Sequence, residues 1–189
     1  MFPFSLDPDV ISWSYLLQFV VFVPLAVLAL RSPGQRWHEA LGFKLVPAAV
    51  IARWTGIWLV CWLLAALLYR QLPADAFLLA VNGTRHIGLT FASLLLAPLL
   101  EEIIFRQCGF RLWRHSWPGL YGTLILTSLL FMLMHWGQYN LTMLVLMFLF
   151  GILLGLAREK TGSLLVPVIL HALNNLFTVV LVVWLGLAA

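Results

Sequence analysis

Six apolar stretches, at 11–30, 46–69, 87–111, 120–135, 141–157 and 164–187, take up most of a 189-residue chain and are separated only by short turns. A helix that crosses a membrane needs about 20 predominantly apolar residues. The patterning therefore predicts about six crossings and leaves no length for a separate soluble domain. Only 10% of the residues are charged, 63% are hydrophobic and the mean hydropathy is +1.01, whereas a water-soluble domain carries about 25% charged residues. The expected fold is an all-α integral membrane protein. It is a single domain over 1–189, a bundle of about six transmembrane helices around a buried polar cavity.

Charge placement orients the bundle, because lysine and arginine accumulate in short cytoplasmic loops. With the N-terminus outside, Arg31, Arg36, Lys44, Arg111, Arg114, Arg158 and Lys160 fall in cytoplasmic loops, against Arg70 and Arg85 outside. Arg53 and Arg106 lie within apolar stretches and must be paired, snorkelled or turned to an aqueous cavity. The first ten residues carry Asp7 and Asp9 and no basic residue, so they lack the n-region of a signal peptide. The net charge of +4 does not indicate a nucleic-acid partner, since no basic run is interleaved with aromatics.

Cys61 and Cys108 show no paired spacing and are expected to be buried small hydrophobes. Trp54, Trp58 and Trp62 share one helix face and are expected to be packing or interfacial residues. Gly151 and Gly155 form a GxxxG pair that permits close helix packing.

Ionisable side chains inside membrane spans are costly and mark function unless a partner explains them. Glu101, Glu102 and Arg106 lie in the third stretch. Glu102 and Arg106 are four residues apart and face one another, while Glu101 points about 100° away and is left without that partner. Phe131 with His135, and His171 with Asn175, are again four apart on single helix faces. From His115 back to Glu101 is 14 residues, or about 21 Å of helix, and from Leu120 forward to His135 is 15 residues, or about 22 Å. An antiparallel hairpin therefore sets Glu101 and His135 level. His171 and Asn175 lie about 10 and 16 Å into the sixth stretch, in reach of the same depth.

These motifs, Glu101-Glu102-xxx-Arg106, Phe131-xxx-His135 and His171-xxx-Asn175, with Gly151-xxx-Gly155 and Thr161-Gly162-Ser163-Leu164 between the last two, resemble the CAAX protease and bacteriocin-processing family, abbreviated CPBP or Abi. The resemblance covers about 91–180 as a catalytic core. It implies an intramembrane endopeptidase of glutamic type in the cytoplasmic (inner) membrane of a bacterium. Its partners would be the lipid bilayer and a membrane-associated peptide, such as a CAAX-like or sorting-signal tail. Carried over, Glu101 is the general base, His135 holds the same water, and His171 and Asn175 stabilise the oxyanion. Glu102 and Arg106 fix and orient the helix, and Phe131 supports His135.

No cofactor is expected. The alternative chemistry is zinc held by Glu101, His135 and His171 with an open position for water, although the HExxH spacing is absent and Asn175 is a poor zinc ligand. Two further readings are a non-enzymatic immunity or peptide-binding protein, and a proton-coupled transporter. The transporter would need a longer chain and paired broken helices.

Overall fold

The computed structural model describes residues 8–69, 87–116 and 119–178. Among the described residues all regular structure is helical, and each of the six apolar stretches contributes a helix. α1 is Pro8–Leu30, a short α2 is Trp37–Ala40, and α3 is Ala48–Tyr69. A continuous rod follows, made of α4 (Ile87–Phe91), a π-helical stretch Ala92–Leu96, α5 (Ala97–Glu102), a second π-helical stretch Ile103–Gly109, and α6 (Phe110–Trp113). α7 (Gly119–Met134), α8 (Leu141–Thr161) and α9 (Leu165–Thr178) complete the described chain. The turns at 72–75, 82–83 and 117–118, the basic residues Arg70 and Arg85, and the sixth stretch beyond 178 lie outside the described residues.

Among the described residues three helices contain a segment long and apolar enough to cross a membrane, at Ser12–Leu30, Ala48–Leu67 and Leu141–Thr161. Within the described residues, α7 and α9 are apolar but shorter. Large aliphatic side chains stand on the outside of α1 and α3, among them Leu17, Leu25, Leu28, Leu64 and Leu67. A run of this kind has no stable place in water and is at home against lipid chains.

The rod departs from the uniform α-helix that its apolar pattern predicts, and the first departure falls at Pro98. Ala97 donates its N–H to Ala92 O, five residues back. The next residue, Pro98, has no N–H to continue the ladder, so Ser93 O is left for a donor outside the rod. Short π segments of this type occur most often at functional sites.

The core gathers where α3, α8 and α9 meet. Trp58, only 2% exposed, packs with Leu154, Ala157, Val166 and Leu170, flanked by Trp54 and Trp62. The Phe177 ring lies edge-on to Trp58 at 5.1 Å and to Trp62 at 5.4 Å. The tryptophan stripe is thus packing, as its spacing predicts. The cysteine expectation is corrected: Cys61 is exposed on the outer face of α3 and Cys108 is half-buried. Apolar surroundings outside the bundle suit a thiol as well as the core does, and hydropathy does not separate the two. Arg53 is exposed on α3, whereas Arg106 is fully buried.

The loop after α1 is pinned rather than slack. Gln107 Nε2 donates to Ala40 O at 2.6 Å, and Arg158 Nη2 donates to Gln107 Oε1 at 2.8 Å. Leu164 N donates to Gly42 O at 2.8 Å, and Ser163 Oγ donates to Lys44 O at 2.6 Å. The Thr161-to-Leu164 turn therefore straps residues 40–44 to the bundle. Gly162 enables it by ending α8 in the left-handed region, at φ 63°. Beside it Arg114 forks onto Glu159, with Nη2 to Oε1 at 2.6 Å.

α7 and α8 are antiparallel neighbours and their approach depends on Gly151. A Cβ there would lie 2.9 Å from Ser128 Cβ and 3.1 Å from Ser128 Cα. Alanine ordinarily gains about 1 kcal/mol over glycine in a helix, so the sign of the effect is diagnostic. We expect Gly151→Ala to destabilise the protein by about 1–3 kcal/mol through overpacking. Gly56→Ala, whose new Cβ meets nothing within 4 Å, should be neutral or stabilising. Reversible unfolding in mixed micelles measures both.

Candidate active site

The polar centre is assembled from the rod, α7, α8 and α9. Glu101 and Glu102 end α5 immediately before the second π-helical stretch, and both are buried, at 6% and 0% exposure. Arg106, also 0% exposed, lies one turn on. Its Nη1 reaches Glu102 Oε1 at 3.1 Å and its Nη2 donates to Gly151 O on α8 at 3.0 Å. The guanidinium carbon sits 4.8 Å from the centre of the Phe131 ring on α7, within cation–π range. One buried cation thus ties three helices together.

His171 on α9 completes this network from 69 residues away. Its Nδ1 is 2.9 Å from Glu102 Oε1, and its Nε2 is 3.8 Å from Glu101 Oε2. An ionised carboxylate only accepts, so Nδ1 carries the proton. Phe131 and Phe150 stand edge-on to the imidazole, each with ring centres 5.6 Å away. Glu102 therefore serves Arg106 and His171 with the same oxygen, and its Oε2 has no hydrogen-bond partner. Glu101 faces His171 beyond hydrogen-bond length. His171, His135 and Arg106 all lie within electrostatic reach of the Glu101 carboxylate.

His135 follows the last residue of α7, and the helix end explains its orientation. Its backbone N–H turns to Met132 O at 3.0 Å, three residues back, so Phe131 O loses its usual ladder donor. The side chain supplies one: His135 Nδ1 lies 2.9 Å from Phe131 O. A carbonyl only accepts, so Nδ1 holds a proton and Nε2 is the ring nitrogen left for other partners. The Phe131 ring lies 5.1 Å from His135, tilted by 58°, so this phenylalanine touches Arg106, His135 and His171 together.

Asn175, one turn beyond His171, donates Nδ2 to Ser93 O at 2.8 Å. This is the carbonyl orphaned by Pro98, and the bond locks α9 onto the first π-helical stretch. One N–H of the amide remains for another acceptor. Among the described residues, no three His, Cys, Asp or Glu side chains are gathered so as to hold a metal ion, the set Glu101, His135 and His171 included.

The structure thus brings Glu101, Glu102, Arg106 and His171 into one cluster, with Phe131 and His135 against its flank and Asn175 above it. Sequence reasoning missed that Glu102 receives His171 as well as Arg106. It also missed Ser93, Gly151 and Phe150 as neighbours. Tyr15 on α1 was missed too; its hydroxyl lies within electrostatic reach of Glu101. A proline within a polar-bearing apolar helix signals a stranded carbonyl about one turn back; ordinary α registry points to Leu94, and only the π registry shifts it to Ser93.

Comparison with known proteins places the chain in a family. Residues 83–177, half the chain, match the family model described as type II CAAX prenyl endopeptidase Rce1-like. The chain belongs to the Rce1-like family. All seven residues singled out, from Glu101 to Asn175, fall within the Rce1-like match. A protein of Escherichia coli described as an uncharacterized 24.3 kDa protein is 36% identical over an alignment of 155 residues that covers 78% of this chain. The chain spans 64% of that relative's length. No solved structure matches. The apolar helices and the Rce1-like membership together make this an integral membrane protein.

Removing one member of a buried ion pair costs about 3–5 kcal/mol, because the other charge is left uncompensated. Arg106→Met should therefore destabilise the protein by that order. Pairing it with Glu102→Gln, which removes the stranded charge, should recover part of the loss. A double-mutant cycle on unfolding in micelles checks this, and additive losses would contradict the network.

Proposed function

We propose that the protein is an intramembrane endopeptidase of glutamic type. The observation that carries this reading is the unequal treatment of two adjacent buried carboxylates. Among the described residues Glu102 is held by Arg106 and His171, while Glu101 has no hydrogen bond as short as those and its nearest ionisable neighbour in contact is His171 Nε2 at 3.8 Å. A buried carboxylate left without a short hydrogen bond is available to take a proton, as a general base must.

In this reading a water molecule lies between Glu101 and His135 Nε2. Glu101 takes one of its protons as the oxygen attacks the peptide carbonyl, and later returns that proton to the departing amine. His171, held by its Nδ1 on Glu102, turns Nε2 toward the reacting centre as a donor to the developing oxyanion. The second N–H of the Asn175 amide is a further donor. Glu102 and Arg106 are positioning residues, and Phe131 sets the spacing of the two histidines.

The bundle would contain about six membrane crossings with both ends outside, in the bacterial cytoplasmic membrane. The substrate would be a membrane-associated peptide or protein cut near a hydrophobic tail, of CAAX-like or sorting-signal type. A buried site between helices suits an extended peptide that leaves its helix to enter.

Removing a general base or its partner costs about 10²–10⁴-fold in rate. Glu101→Gln and His135→Ala should therefore abolish processing, read as membrane proteins cut in wild-type but not in variant cells, while both variants accumulate normally. Full processing by either variant would overturn the assignment, and tolerance of Glu101→Gln would favour a peptide-binding protein. Metal analysis of active, micelle-purified protein should find no stoichiometric zinc. One equivalent, depleted by Glu101→Gln and needed to restore activity, would replace this chemistry by a zinc-dependent one.

A further inference from the structure

A second polar site lies well away from the carboxylates, where α1 ends. Arg31 directly follows the membrane-length segment Ser12–Leu30, and the chain then reverses through Ser32, Pro33 and Gly34. The reversal is closed from both sides. Arg31 Nε donates to Gln35 O at 2.7 Å, and Ser32 N donates to Gln35 Oε1 at 3.1 Å. Arg31 is thereby fixed through one nitrogen.

Two neighbouring cavities share this arginine. One, of about 440 Å³, is lined by Arg31, Arg36, Trp37 and His38. The other, of about 290 Å³, is lined by Leu28, Arg31, Ser32 and Pro33. The first offers two guanidiniums and an imidazole. The second runs up to Leu28, 75% exposed on the face of α1 that would lie against acyl chains. Trp37 is 61% exposed at the rim, with His38 edge-on to it at 5.6 Å, and tryptophan favours this headgroup depth. Glu39, the acid beside the cavity, turns Oε2 onto the backbone N–H of Arg36 at 3.1 Å. The walls are not loose, because Ala40, Gly42 and Lys44 are bonded to Gln107, Leu164 and Ser163.

A polar cavity of positive charge that continues into an apolar groove at a membrane surface matches a molecule with a phosphate at one end and a hydrocarbon chain at the other. We propose that Arg31, Arg36, Trp37 and His38 form a binding site for the headgroup of an anionic phospholipid, with an acyl chain laid past Pro33 and Leu28. The guanidiniums receive the phosphodiester oxygens, and the indole covers the glycerol region. A free phosphate would use the cationic cavity and leave the groove beside Leu28 empty, so the observations favour the lipid. The strap also gives the site a route inward, since Gln107, which holds Ala40, is the residue after Arg106.

Native mass spectrometry of the full chain released from neutral micelles tests this with phosphatidylglycerol, phosphatidylcholine and inorganic phosphate as probes. Anionic attraction near the surface accrues with each arginine, so phosphatidylglycerol should be retained about tenfold or more over phosphatidylcholine. Arg31→Gln with Arg36→Gln should remove that preference. Arg111→Gln with Lys160→Gln, two exposed basic residues elsewhere, should keep it. Millimolar inorganic phosphate should not displace the lipid. Equal loss in both double variants would show a diffuse surface field rather than a site, and displacement by phosphate would show a plain anion site; either overturns the proposal. Unchanged unfolding of the Arg31/Arg36 variant ensures that its loss is not misfolding, and if that variant unfolds early, Leu28→Trp, which fills the space beside Arg31 without changing charge, must also abolish retention.

Discussion

The fully buried guanidinium of Arg106 is the constraint on which this architecture turns. An unpaired charge in a low-dielectric interior costs several kcal/mol even after relaxation, and in a membrane bundle no side of the molecule supplies water cheaply. Arg106 must find acceptors from within. It takes Glu102 from its own helix, Gly151 O from α8 and the face of Phe131 from α7. Satisfying one cation therefore fixes the separation of the rod, α7 and α8. Gly151 serves twice, by exposing its carbonyl and by letting Ser128 come close. His171 then docks on the carboxylate oxygen already aimed by the arginine, which sets the depth of α9.

A second constraint is the carbonyl that Pro98 strands. A buried C=O without a donor is costly, and Asn175 answers it from the same face of α9 that carries His171. Two bonds one helical turn apart, His171 to Glu102 and Asn175 to Ser93, thus fasten α9 along the rod. Specificity of docking between apolar helices in a bilayer has to come from such polar contacts and from small-residue packing, because lipid offers no hydrophobic drive for helix association. The strap through Gln107, Arg158 and Ser163 applies the same logic at the other end, outside the apolar zone.

Much of this was legible because helical geometry converts spacing into faces. Glu102 with Arg106 at four residues became the ion pair it suggested. Phe131 with His135 became a bond between a ring and the carbonyl one turn back. Equal counts from the hairpin turn set Glu101 and His135 at one depth, an expectation about depth and not about contact. The remainder depended on partners that no spacing encodes. That His171 would join Glu102, and that Asn175 would serve a backbone carbonyl, requires knowing how α9 rotates against the rod. The π-helical stretches stayed hidden because hydropathy does not sense a change in ladder registry. The four-residue helix Trp37–Ala40 is too short to carry a period, so its docking by Gln107 was invisible.

The account stands on one bond that joins distant parts of the chain, between His171 Nδ1 and Glu102. Its most direct test is nitrogen-15 NMR of histidine-labelled protein in micelles, with the His171 signal identified by its loss in His171→Gln. The account predicts a protonated Nδ1 in a carboxylate hydrogen bond, shifted strongly by Glu102→Gln and left in place by Glu39→Gln. An Nδ1 that is unprotonated, or that ignores Glu102→Gln, would contradict it.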